Sequence, residues 1–115
     1  MAVESKELIP SKTMESAQTT QYTAPSSSTT TVKAIIDTFT VTNYSVSSSN
    51  INMWFVPVGG SVSNDNLIID NLEIAVDETR SLYEIVGHVI EAGGSIVTSG
   101  TATALSIRCS GREIS

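Results

Sequence analysis

Through residues 32–115 apolar side chains recur at every second position in short runs, and no segment carries a convincing stripe at the 3.6-residue period of a helix. A period of two marks a strand with one wet face, which antiparallel pairing allows. Thr38, Thr40 and Thr42 alternate with Phe39 and Val41. Asn71, Glu73 and Ala75 alternate with Leu72, Ile74 and Val76, and Ser106, Arg108 and Ser110 with Leu105, Ile107 and Cys109. The runs predict strands near 32–44, 51–58, 66–69, 71–76, 79–86, 94–99 and 103–109, with a short last one near 112–114. Turn clusters separate them at Ser47–Asn50, Gly59-Gly60, Asn64-Asp65-Asn66, Asp77-Glu78 and Gly93-Gly94. Glu84–Glu91 would also accommodate a helical turn. The expected fold class is all-β: an antiparallel β-sandwich of jelly-roll or immunoglobulin-like type.

Two departures from the simple pattern carry information. Val32, Ala34 and Ile36 have the opposite parity to Phe39 and Val41, so the chain needs a bulge or a change of sheet near Ile36-Asp37. Residues 51–58 are apolar on both faces, with Met53 and Phe55 on one and Trp54, Val56 and Val58 on the other. Such a strand calls for cover on both sides, from a lip of loop, an N-terminal arm or another subunit. Trp and Met are also enriched in interface cores. Pro57 donates no ladder hydrogen bond, so an edge or a strand end is expected there.

The composition changes near residue 31. Residues 1–31 hold thirteen Ser or Thr and two prolines, ending in the low-complexity run Ser26–Thr31. A segment this polar buries too little to offset its ordering entropy alone. The expected organisation is an extended or flexible N-terminal arm over 1–31 and a sandwich domain over 32–115. Leu8, Ile9, Met14 and Tyr22 are the apolar beads of the arm; Leu8, Ile9 and Tyr22 would be its docking contacts on a neighbour, with Trp54 and Val56 as further assembly contacts.

The chain has 115 residues and a formal charge of −6, with six basic side chains scattered along it. That is one small domain without the basic footprint of a nucleic-acid binder. No apolar run reaches the roughly 18 residues of a membrane span. The acidic start Met1–Glu7 lacks the basic and apolar regions of a signal peptide, so a protein assembled in the cytoplasm is expected. One cysteine, Cys109, makes no internal disulfide and no Cys-based zinc site, and one histidine, His88, makes no dyad. Cys109 on an apolar strand face reads as a small core residue. Asn64–Asn66, Asp70-Asn71 and Asp77-Glu78 could offer oxygen ligands to calcium, but they lack EF-hand spacing and are ordinary turn residues. Asn43-Tyr44-Ser45 matches a glycosylation acceptor, without a secretion signal behind it. No Gly-x-Ser-x-Gly elbow occurs. No catalytic residue, metal site or cofactor is expected, and the chain reads as a non-enzyme.

Four stretches taken together resemble the small β-sandwich virion proteins of tailed bacteriophages. They are Tyr22–Pro25, Val32–Asn43, Trp54–Gly60 and Ile90–Ile96, and the resemblance spans residues 20–115. Gly94 departs from it, standing where the pattern has an acidic residue. The resemblance implies a structural protein of the virion, a capsid decoration or head-to-tail neck subunit. It would be assembled in the host cytoplasm as a homo-oligomer alongside other virion proteins, with no nucleic-acid or membrane partner. The alternative is a tail- or fibre-associated module that binds a host receptor or glycan. An exposed aromatic platform would favour that alternative, and the chain holds six aromatic residues in all.

Overall fold

The computed structural model describes residues 2–27, 31–101 and 103–115. The alternating runs fold as strands β3 (Lys33–Asn43), β4 (Ser49–Val56), β5 (Leu67–Ile74), β6 (Thr79–Ser81), β7 (Val89–Ile90), β8 (Ser95–Gly100) and β9 (Leu105–Ile114). Two more, β1 (Val3–Thr13) and β2 (Thr19–Thr23), precede them. One sheet has the order β1-β9-β3-β6, with β7 also on β3; the other has the order β2-β8-β4-β5. Every pairing is antiparallel. The pairs β1/β9, β2/β8, β3/β6 and β4/β5 nest inside one another, as in a long hairpin rolled into two layers. That is the jelly roll among the two expected sandwich types.

Leu8, Ile9, Ile36, Phe39, Val41, Ile51, Met53, Ile74, Ile96, Leu105, Ile107 and Cys109 fill the space between the sheets. Phe39 is fully buried, and that burial stabilises by about 1.5–3 kcal/mol. The expected parity break is a β-bulge. Ile36 pairs with Gly111 and Thr38 with Ser110, so Asp37 is the extra residue. Its carboxylate turns outward and takes Arg112 Nε at 3.1 Å through both oxygens.

No separate arm is present among the described N-terminal residues. Val3–Thr13 lies along β9 and Thr19–Thr23 along β8, so this segment supplies one strand to each sheet. The reason it does not look like a strand is local. Between Glu7↔Ser110 and Ile9↔Cys109 the register slips, leaving Leu8 and Ile9 opposite one residue. A bulge turns both inward, and both are buried. Two adjacent apolar residues break a period of two. Of the low-complexity run, Ser28, Thr29 and Thr30 lie outside the described residues; Ser26 and Thr31 are bridged across it.

Other boundaries shift for similar reasons. The strands expected at 66–69 and 71–76 are one strand, bent at Asn71 with φ +53°. The strand expected over 79–86 stops at Ser81 and becomes a 3-10 turn at Tyr83–Ile85. The last two strands are one continuous β9, which passes Gly111 without a break. A Cβ on Gly111 would stand 2.3 Å from the Ile35 carbonyl oxygen and 2.7 Å from Leu8 Cδ1. Only glycine lets β9 lie against the β3 bulge there. Gly111→Ala is therefore expected to lose about 1–3 kcal/mol in thermal or urea unfolding. Ser110→Ala beside it should stay within about 0.5 kcal/mol of the parent.

Candidate assembly surface

All six Lys and Arg side chains have a carboxylate within 4.0 Å: Lys6–Glu113, Lys12–Glu15, Lys33–Glu91, Arg80–Glu84, Arg108–Glu7 and Arg112–Asp37. These pairs are largely exposed and stabilise little. The excess charge is what they leave over. Glu4, Asp65, Asp70, Glu73, Asp77 and Glu78 have no basic partner among the described residues. Five of the six run along the edge strand β5 and the turns on either side of it.

Exposed apolar groups concentrate elsewhere. Tyr44, Val46 and Val76 stand in the loops after β3 and β5, at one end of the sandwich, and Val46 is 97% exposed. Asn43 builds that end. Its Nδ2 donates to Ser47 O at 2.9 Å and Ile74 O at 3.0 Å, and its Oδ1 accepts from Ser45 N and Oγ at 2.9 and 2.8 Å. The Asn43 amide is 1% exposed and fully engaged, so in the folded chain it presents no nitrogen for glycosylation. Val58 and Val89 lie at the opposite end of β4, with Tyr83 and Val86 on the segment leading to it. The eight residues of β4 separate the two ends by roughly 25 Å. Beside Val89 opens a shallow, mostly apolar pocket of about 140 Å³, lined by Phe55, Val56, Pro57, Ile90 and Glu91 among others.

The sequence-derived contact residues fall in different places. Leu8 and Ile9 are core residues of β1, 4% and 0% exposed. Val56 is buried at the end of β4 and lines the pocket. Trp54 sits half-buried on the outer face of its sheet, in register with Val97 and Leu67. Tyr22 joins the two layers: its hydroxyl donates to Glu113 Oε2 at 2.5 Å, while Lys6 holds Glu113 Oε1 at 3.3 Å. This network ties β1, β2 and β9 together. The exposed end groups Val46, in a loop, and Val89, in the two-residue β7, carry no sequence pattern that marks them.

The groups that could do chemistry are otherwise occupied. Cys109 is fully buried, and that burial, with Asp37 nearby, pushes its thiol up to about 12. A thiol in that state is a packing group. The exposed His88 leans edge-on against Phe55 at 5.5 Å between ring centroids. The turn residues serve the backbone: Asn66 bonds Ser61 and Ser63, and Glu78 accepts from Ala75 N at 2.8 Å. No group of three or more His, Cys, Asp or Glu side chains is placed to hold a metal ion among the described residues.

No protein-family model matches the chain, and a comparison with curated protein sequences returns no match. Two solved structures align with the chain. A protein of Bacillus endospore appendages, described as forming a family of disulfide-linked pili, aligns with a TM-score of 0.53 at 11% identity, over 98% of this chain and 88% of that one. A chain from the structure of infectious bursal disease virus, Gx strain, aligns with a TM-score of 0.48 at 12% identity, over 97% of this chain and 31% of that one. At 11% identity the likeness to the appendage protein is one of fold.

The Tyr22–Glu113 contact makes stability depend on alkaline pH. Partial burial, then the Glu113 hydrogen bond, raise the Tyr22 hydroxyl well above its ordinary value near 10. Above that value the unfolded chain gives up this proton and the folded chain keeps it. The contribution is fully present below about pH 10 and falls away as pH rises beyond it. Tyr22→Phe is expected to lose about 1.5–3 kcal/mol at neutral pH, as for a hydrogen bond to a charged group. Urea titrations from pH 8 to pH 11 should show a shallower alkaline decline in the variant than in the parent.

Proposed function

We propose that this chain is a structural subunit that assembles with copies of itself. The observation that carries it is the distribution of exposed apolar groups, at two opposite ends of a sandwich whose six basic side chains each have a carboxylate within ion-pair distance. A surface apolar at two separated places suits head-to-tail contact. A likeness in fold to a pilus protein supports the same reading. Its finer form is a virion protein of a tailed phage, a capsid decoration or head-to-tail neck subunit, and that form rests on the sequence resemblance alone. The pocket of about 140 Å³ is smaller than the roughly 300–1,000 Å³ of ordinary small-molecule sites, which sets a receptor- or glycan-binding module in second place.

Light scattering on the purified protein tests the reading. The expected mass is a multiple of the 12.2 kDa monomer, rising with concentration. Val46→Asp and Val89→Asp, each at a solvent-exposed position, should lower the assembled fraction at least tenfold at fixed concentration while leaving the thermal midpoint within a few degrees. A monomer at every concentration overturns the proposal. Immunogold labelling of purified particles tests the finer form: gold over heads marks decoration, gold at the neck marks a connector, and no gold on any particle removes the virion assignment.

A further inference from the structure

β1 is attached to the sandwich in an unusual way. It spans eleven residues at the edge of its sheet and pairs with β9 alone. Pro10 withholds an N–H in its middle, and the register slips twice, at Glu7/Ile9 and at Ile9/Lys12. Yet it buries Leu8 and Ile9 completely enough that the body without it would open a cleft beside β9. The link to β2 starts at Met14, which is buried and donates its N–H to Leu105 O, and continues through Glu15, Ser16, Ala17 and Gln18, all exposed. An edge strand with two register slips that fills an apolar slot, followed by an exposed connector, is an arrangement in which an identical element can change places between copies.

The slot selects its occupant. Arg108 of β9 holds Glu7 at 3.3 Å, and Glu113 of β9 holds Lys6 at 3.3 Å, so alternating charges set the register of any strand that enters. Only the sequence of β1 brings Lys6, Glu7, Leu8 and Ile9 in that order. The other edges are less suited to a second copy. β5 carries unpaired acids that repel their own kind, β2 has five residues and β6 three. The geometry points to β1 as an exchangeable strand, with the slot along β9 taking the β1 of a second copy. This deepens the subunit reading and rests on it.

Register-matched cysteines decide between exchange and closure within one chain. In a Cys109→Ala background, Glu7→Cys and Ser110→Cys place thiols on paired residues of β1 and β9 at exposed or half-exposed positions. Ile9→Cys, which faces the native Cys109, is a second and independent pair. The assembled protein is oxidised with diamide, denatured, and run without reductant. Exchange predicts bands at twice the monomer mass and above holding most of the protein, all returned to monomer by reductant. The mismatched pair Glu4→Cys with Ser110→Cys should stay uncrosslinked, and equal crosslinking there overturns the assignment. If light scattering shows assembly but both matched pairs give only monomer bands, strand exchange is wrong and the subunit reading stands. If the protein is monomeric throughout and the bands are monomeric, both are wrong.

Discussion

β9 is hydrogen-bonded along both sides, to β1 on one and to β3 on the other, and its inward residues Leu105, Ile107 and Cys109 run down the middle of the core. The rest of the sandwich is arranged around that strand. The β3 bulge at Asp37 exists where β9 passes at Gly111, and the close approach there leaves no room for a side chain. The Leu8–Ile9 bulge of β1 faces Cys109 from the opposite side. Two bulges on the two neighbours of one strand bend the sheet, and that curvature lets it close over the second layer.

The two layers are held in relation mainly by apolar contact, with polar ties at both ends. Tyr22 reaches from the β2 sheet to Glu113 on β9, and Lys6 approaches the same carboxylate from β1. The network sits where three strands meet, so it reports on whether all three are in place. Asn43 does comparable work at the other end, where one buried amide satisfies the turn after β3 and the last carbonyl of β5. Both are short polar clusters that position apolar surface without themselves being reactive.

Much of the fold is legible in the residues. Phe39, Val41, Ile74, Ile107 and Cys109 announce their strands by alternation, and the parity break before Phe39 locates a real bulge. What alternation misses is β1, because its bulge sets two apolar residues side by side, and β2, because Tyr22 is its one large inward group. Strand order is not a local property either: nothing near Thr19 says that it will pair with Thr98. The candidate surface was the least legible part. Leu8 and Ile9 look like exposed beads on a polar string and are core, whereas Val46 and Val89 look unremarkable and are exposed.

The nested pairing also sets a timetable for the chain's birth. β1 leaves the ribosome first and its partner β9 last, with about one hundred residues between them. At roughly 5–20 residues per second, the first strand waits some five to twenty seconds before its own partner exists. Loop closure over that span is slow and entropically costly compared with the local pairing of β4 with β5. Until β9 emerges, the inward face of β1 that carries Leu8 and Ile9 has no partner strand in its own chain. The order of synthesis thus leaves the closing of β1 on β9 until the last strand has been made.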